Sequence, residues 1–364
     1  MKGPQARIER VDVAAFTIPT ATPESDGTLE WRATTLVVVE PSAGGMRGLG
    51  YTYADRATAV LVRDKLVPLV RGRDALAVTD CWNVMVHEIR NLGRPGIVSM
   101  AIAAVDNALW DLKARLLDLP LVRLLGDARA AVPVYGSGGF TSYTSAELAE
   151  QLSGWTHAGI ARVKMKVGRD PGTDAARVRV AREAIGGAAL FVDANGGYTR
   201  KQALGLAETF AQLGVTWFEE PVSSDDLAGL RLLRDRAPAG MDVTAGEYGY
   251  DTGYFRSMLE AGAVDVLQAD ATRCAGITGF MRVAALCEAF HLPLSSHCAP
   301  ALHLHACCAA TPVVHLEYFF DHVRIERMLI DGAVQARDGM LEPDRTQPGL
   351  GLTLKRSDAA PYAV

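Results

Sequence analysis

Three stretches, Arg162-Val163-Lys164-Met165-Lys166, Leu190-Phe191-Val192-Asp193 and Thr216-Trp217-Phe218-Glu219, decide the fold. Each is a short, mostly apolar run that ends on an acid or base and gives way to a helical stretch. The pattern continues through Glu247, Asp270, His297 and Glu317, and from Lys166 onward the steps are 27, 26, 28, 23, 27 and 20 residues. Regular alternation of strand and helix predicts parallel strands with helices outside. The eight candidate strands are Val132–Tyr135, Arg162–Lys166, Leu190–Val192, Thr216–Glu219, Asp242–Ala245, Val264–Leu267, Pro293–Ser296 and Val314–Leu316. Helix signals lie between them, for example in Ser145–Gly154 and Ala175–Ile185. The fold class is thus predicted as α/β, a modified (β/α)8 barrel of the TIM type. In such barrels the C-terminal strand ends deliver functional groups to one mouth.

Upstream of Val132 the texture differs. Arg7–Thr17 and Thr34–Glu40 read as strands, and Tyr51–Tyr53 as a third after a glycine-punctuated turn. Helical spacing marks Ala57–Val70, Ala75–Arg90 and Val98–Leu116, the last through Ala101, Val105, Ala108, Leu109 and Leu112. The expected organisation is an N-terminal α+β capping domain over 1–130 and a barrel over 131–330. A C-terminal segment, 331–364, would pack back on the cap. Pro19–Gly27, polar and rich in Pro and Thr, reads equally as a mobile lid or as a surface turn.

Composition narrows the function. Half of the 364 residues are apolar, and the net charge of −5 is spread without blocks. That leaves no basic footprint for nucleic acid. No apolar run reaches the length needed to span a bilayer, so no membrane partner is expected. Residues 1–7 lack the apolar core of a signal peptide, and none of the six cysteines forms a C-x-x-C pair. A reducing, cytoplasmic setting is expected.

The strand-end residues carry the chemistry. Lys164 and Lys166 share one strand face, so each is expected to lower the other's pKa and bring a lysine toward work as a base. Asp193, Glu219 and Glu247 end consecutive strands and make a hard, all-oxygen site suited to Mg²⁺. Asp270 and His297 end the next two, where a carboxylate can orient an imidazole as base. Glu317 faces the same mouth, either as a helix cap or as a donor to a substrate carboxylate if held protonated. His303 and His305 point to different helix faces and make no metal pair. His322 and Arg324 follow Glu317 and could reach substrate, but read first as salt-bridging side chains. Gly136-Ser137-Gly138-Gly139 lacks the dinucleotide fingerprint and reads as a loop allowing substrate close to the backbone.

Taken together, Lys164-Met165-Lys166, Asp193-Ala194-Asn195, Trp217-Phe218-Glu219-Glu220-Pro221, Gly246-Glu247, Asp270, His297 and Glu317 resemble the mandelate racemase subgroup of the enolase superfamily. The resemblance covers essentially the whole chain. It implies Mg²⁺ on Asp193, Glu219 and Glu247. Lys166 and the Asp270–His297 dyad would be bases on opposite faces of the substrate, with Lys164 and Glu317 stabilising the enolate. The related muconate-lactonising subgroup would want a second catalytic lysine after the sixth strand, where this chain has Asp270 and Arg273. What the resemblance implies is an enzyme of small-molecule carboxylates such as sugar acids, and a homo-oligomer. Dehydration to a 2-keto-3-deoxy acid comes first, racemisation or epimerisation by the same residues second, and a barrel that only binds sugar acids third.

Overall fold

A computed structural model of the chain describes residues 6–364. The N-terminal part is an antiparallel sheet of β1 (Arg10–Ser25), β2 (Glu30–Ala43), β3 (Met46–Arg47) and β4 (Gly50–Tyr53), backed by helices. Chief among these is Ile97–Leu116, where Ala101, Val105, Ala108, Leu109 and Leu112 are buried as the spacing predicts. The barrel strands are β5 (Val132–Gly138), β6 (Arg162–Lys166), β7 (Ala189–Asp193), β8 (Val215–Glu219), β9 (Asp242–Ala245), β10 (Val266–Ala269), β11 (Leu294–Ser296) and β12 (Val313–Phe319). Each pairs in parallel with its neighbour, and β12 closes on β5 with Leu316 opposite Val134. Helices link successive strands, and two begin with capping boxes, Thr144/Glu147 and Thr199/Gln202. The predicted (β/α)8 barrel with an α+β cap is therefore the fold.

Barrel closure places the strand ends side by side. Lys166 stands opposite Asp193 in the β6–β7 register, and Asp193 opposite Glu219 in β7–β8. Beneath them the barrel axis is filled by Tyr135, Phe191, Trp217 and Val266, with Phe191 and Trp217 stacked at 5.0 Å. His315 joins this layer, its Nδ1 2.9 Å from Ser295 Oγ, and burial pushes its pKa down to about 3. The mouth thus has an aromatic, uncharged floor.

The cap meets the barrel through buried polar pairs as well as apolar contact. Tyr51 donates to Glu326 at 2.6 Å, Thr278 to Asp106 at 2.7 Å, and the Leu350 amide to Asp111 at 2.6 Å. The end of the chain also lies on the cap. The Val364 amide donates to the Ala15 carbonyl, and Arg356 reaches Glu40 at 2.7 Å. Met340–Leu341 instead pairs with β5 of the barrel.

Two expectations from the sequence are corrected by the fold. Pro19–Gly27 is mostly strand: β1 runs to Ser25 and pairs with β2, with Glu24 opposite Trp31 after an irregular register. The hairpin turn, Asp26–Leu29, bends down onto the barrel, and Ser25 meets Thr141 at 2.6 Å. Polar residues extend this strand because their partners are on the barrel. The run Gly136–Gly138 lies inside β5, not in a loop. A Cβ on Gly136 would meet the Trp155 ring at 2.5 Å, and one on Gly138 would meet Gln151 at 2.3 Å. These glycines admit the helix Ser145–His157 rather than a substrate.

Gly27 gives the hairpin tip its seat. A Cβ there would stand 2.3 Å from the Ala194 carbonyl and 2.8 Å from that of Val167. Gly27→Ala should therefore lift the tip while leaving the cores untouched. Limited proteolysis should cut the variant at 26–29 at least about tenfold faster than the parent, with Tm changed by no more than about 4 °C. Equal cleavage rates would show that the tip does not depend on this contact.

Candidate active site

The eight residues singled out from sequence converge on the C-terminal ends of β6–β12. Lys166, Glu247, Asp270, His297 and Glu317 line one cavity of about 200 Å³, roofed by Asp26, Leu29 and Trp31 of the hairpin. Lys164, Asp193 and Glu219 lie just beneath, each fully buried. Lys164 Nζ is 2.6 Å from Glu219, 2.8 Å from Glu317 and 3.6 Å from Asp193. Lys166 Nζ is 2.5 Å from Asp193. His297 Nδ1 is 2.8 Å from Asp270, and its Nε2 is 3.2 Å from Glu247. The dyad expected from spacing alone is thus a direct contact.

The electrostatics reverse one expectation. From sequence, the two lysines are expected to lower each other's pKa. Burial and mutual repulsion act that way, but Glu219 and Glu317 raise Lys164 and Asp193 raises Lys166, so both lie above their ordinary value. Glu317 also departs from the protonated donor envisaged. Burial would raise it, but Lys164 and His297 hold it well below the usual carboxylate range. Its Oε2 accepts from the Cys298 amide at 2.9 Å. For Asp270, burial is outweighed by the His297 hydrogen bond and by nearby His303, so its carboxyl stays ionised. Burial would depress His297, whereas Cys298 and Glu247 beside it push it well above the ordinary imidazole value.

The carboxylate triad fits a hard divalent cation. Ligand oxygens of Asp193, Glu219 and Glu247 lie within 4.8 Å of one another. Burial and the Asp193 charge push Glu219 up to about 8, which marks a shortage of positive charge. Glu247 Oε2 is buried with no well-aligned hydrogen-bond donor, although His297 is close. An all-oxygen, anionic donor set of this kind suits Mg²⁺.

Several participants escape a reading by strand ends. Arg273 lies 3.3 Å from Glu247 and 3.7 Å from Asp270. His303 stands 3.5 Å from Asp270 and accepts from the Ala271 amide. Asn195 lines the cavity with its Oδ1 unpartnered, and its own amide donates to Asp193 at 2.9 Å. The Asp-x-Asn spacing is the available signal for it. His322 makes no salt bridge: it stacks on Tyr53 at 3.4 Å and its Nδ1 accepts from the Ala299 amide. Arg324 does pair with Asp321, at 2.6 Å. Cys298 sits in the cavity wall, Sγ 3.3 Å from His297 Nε2, outside any helix. All six cysteines are free and buried. Among the described residues no helix is long and apolar enough to cross a membrane.

Comparison with known proteins agrees with this geometry. The family model for the mandelate racemase / muconate lactonizing enzyme N-terminal domain matches residues 11–126, and the enolase C-terminal domain-like model matches 147–359. The chain is 34% identical to 3,6-anhydro-alpha-L-galactonate cycloisomerase of Streptomyces coelicolor, over 95% of this chain and 97% of that one. A solved mandelate racemase/muconate lactonizing enzyme-like protein from Rubrobacter xylanophilus is 56% identical. It has a TM-score of 0.97 and covers 98% of this chain and 100% of its own. L-talarate/galactarate dehydratase from Salmonella typhimurium, solved with Mg and L-lyxarohydroxamate, is 27% identical. Its TM-score is 0.90, over 99% of this chain and 93% of that one. These relatives include both dehydratases and cycloisomerases, so lyase and isomerase chemistry both occur among them.

The Lys164 network yields a stability test. Removing the ammonium takes the nearest cation from Glu219 and Glu317, both buried, which costs about 3–5 kcal/mol. Lys164→Met should lose that much in urea unfolding with EDTA present, and Mg²⁺ should recover part of it. A variant as stable as the parent in EDTA would show that Lys164 does not balance these carboxylates.

Proposed function

Because this chain belongs to the mandelate racemase/muconate lactonizing enzyme family of the enolase superfamily, we propose that it removes the proton α to the carboxylate of a hydroxy acid with the help of Mg²⁺. The favoured outcome is dehydration of an acid sugar to its 2-keto-3-deoxy acid. One observation carries the reading: three carboxylates, Lys166 and the His297–Asp270 pair surround a single small cavity. Relatives solved with magnesium support the choice of cation.

Asp193, Glu219 and Glu247 are assigned as the Mg²⁺ ligands, and Lys164 and Glu317 as partners that fix the charge around the substrate carboxylate. Mg²⁺, when bound, supplies Lewis-acid stabilisation of the negative charge that develops as the α-proton leaves. Lys166 and His297 project from β6 and from the end of β11, on different sides of the barrel. One base can therefore work on each face of the α-carbon. Lys166 is assigned to the α-proton, which it takes in its neutral form; burial and Lys164 favour that form, and the Asp193 charge opposes it until a cation takes up that charge. His297, kept protonated by its anionic neighbours and oriented by Asp270, is assigned to the departing β-hydroxyl, to which it gives a proton. Asn195, with its free Oδ1, is available to receive a substrate hydroxyl. Leu29 and Trp31 close the roof and limit access of water.

The paired placement of two bases also supports a second reading, racemisation or epimerisation, in which His297 reprotonates the face opposite Lys166. Product analysis separates the two: a 2-keto acid for dehydration, an inverted α-carbon for the alternative.

The test is α-proton exchange in deuterated solvent, followed by NMR on a panel of sugar acids. Exchange should require Mg²⁺ and vanish with EDTA. Lys166→Ala should reduce it by at least about 100-fold. His297→Asn should block product while leaving exchange detectable. If His297→Asn abolishes exchange and Lys166→Ala preserves it, the roles are reversed. Normal turnover by both variants would place the chemistry elsewhere.

A further inference from the structure

The reacting end of the cavity holds many charges, and each of its cationic side chains is already engaged. Lys164, Lys166, Arg273 and His297 each stand within 4.0 Å of one or more of the five buried carboxylates. The far wall is different. It is built from Asp26, Leu29, Trp31, Tyr53, Phe319 and His322. None of these supplies a positive charge. The only titratable base among them, His322, uses its Nδ1 to accept the Ala299 amide proton, so that nitrogen carries no proton and the ring is neutral. Burial acts in the same direction and lowers His322 to about 3.

The space beside the cavity repeats the pattern. A cleft of about 610 Å³ adjoins it, with Asn195 and Tyr248 lining both. Its acids are Glu220, Asp225 and Asp251, joined by tyrosines and serines, and no Lys, Arg or His lines it. The basic side chains on and beside the hairpin line neither space: Arg32 is 3.8 Å from Glu30, Arg169 is 3.4 Å from Glu30, and Arg324 is 2.6 Å from Asp321.

What the cavity and its side cleft do offer is polar oxygen. Tyr53 Oη in the far wall, Asn195 Oδ1 where the two spaces meet and Glu220 Oε1 in the cleft are buried and have no hydrogen-bond partner among the described residues. Such atoms are costly unless a ligand satisfies them. Asn195 Oδ1 can only accept a hydrogen bond, so a hydroxyl satisfies it and an ionised carboxylate does not; Tyr53 can give or take one.

We propose that the substrate carries a single carboxylate, held at the Mg²⁺ end, and an uncharged hydroxylated far end: an aldonate rather than an aldarate. This rests on the α-proton chemistry proposed above for the orientation of the substrate. A second carboxylate would enter a wall that holds Asp26 and no cation, where like charge and an unpaired buried ion both act against binding. Hydroxyls would meet acceptors that have no other partner.

Binding can be measured without turnover. Calorimetric titration of the Mg²⁺-loaded protein, in the Lys166→Ala background, with five- and six-carbon aldonates and their matching aldarates should give Kd values lower for the aldonates by about 100-fold or more. Leu29 is 61% exposed at the roof and holds the turn through its backbone, so its side chain can be changed without loss of the hairpin. Leu29→Arg places a cation over the far end and should shrink the gap to below about tenfold, by tightening aldarate binding. Aldarates bound as tightly as matching aldonates, a gap unchanged by Leu29→Arg, or binding of neither class would overturn the proposal. An aldonate preference without Mg²⁺-dependent α-exchange would sink the proposed reaction and leave this inference standing. Exchange without the preference would do the reverse.

Discussion

Five carboxylates, Asp193, Glu219, Glu247, Asp270 and Glu317, are held almost out of water at the ends of strands that meet in one barrel mouth. Their mutual repulsion is the constraint around which the structure is arranged. Buried charges persist only when paired or bound to a cation. Lys164 sits between Glu219 and Glu317, Lys166 against Asp193, and Arg273 and His297 between Glu247 and Asp270. Below them lies the uncharged aromatic floor, with Lys164 Nζ 5.3 Å over the Tyr135 ring. The cap closes the other side through a hairpin whose tip packs on the backbone of the barrel loops.

A site built this way is suited to one difficult step, removal of a weakly acidic proton next to a carboxylate. The charge that appears on the substrate is met by groups already fixed in place, with no reorganisation at the moment of reaction. The fate of the resulting intermediate depends on how the second base acts and on which group sits at the β-carbon. The same arrangement thus accommodates the lyases and isomerases found among its relatives. Under the proposed reaction, specificity would fall to the hairpin roof and the wall around Tyr53 and His322, which are supplied largely by the cap and by the helix after β12.

Sequence reading reaches the barrel and its eight strand-end residues because both are local signals. A short apolar run ending on a charge fixes the residue's place on the strand, and same-face spacing brings Lys164 with Lys166. It fails where the reason for a residue lies far along the chain. Gly136 and Gly138 answer to Trp155 and Gln151, and the polar end of β1 answers to Thr141 and neighbouring barrel loops. His322 is in the cavity because Tyr53, from the cap, stacks against it. The sign of the lysine shifts escapes for a related reason: from β6 alone only the two like charges are visible, whereas the opposing carboxylates arrive from β7, β8 and β12. Cys298 carries no signal in the sequence, and its place in the wall comes from a left-handed backbone turn at φ +51 that no pattern announces.

The central claim is that the triad of Asp193, Glu219 and Glu247 is completed by a divalent cation. Calorimetric titration of metal-free protein with Mg²⁺ tests it most directly. One ion should bind per chain, and Glu247→Gln, which keeps the shape of the side chain and removes its charge, should weaken binding by at least about tenfold. No binding, or binding unchanged by substitution of any of the three carboxylates, would contradict the account.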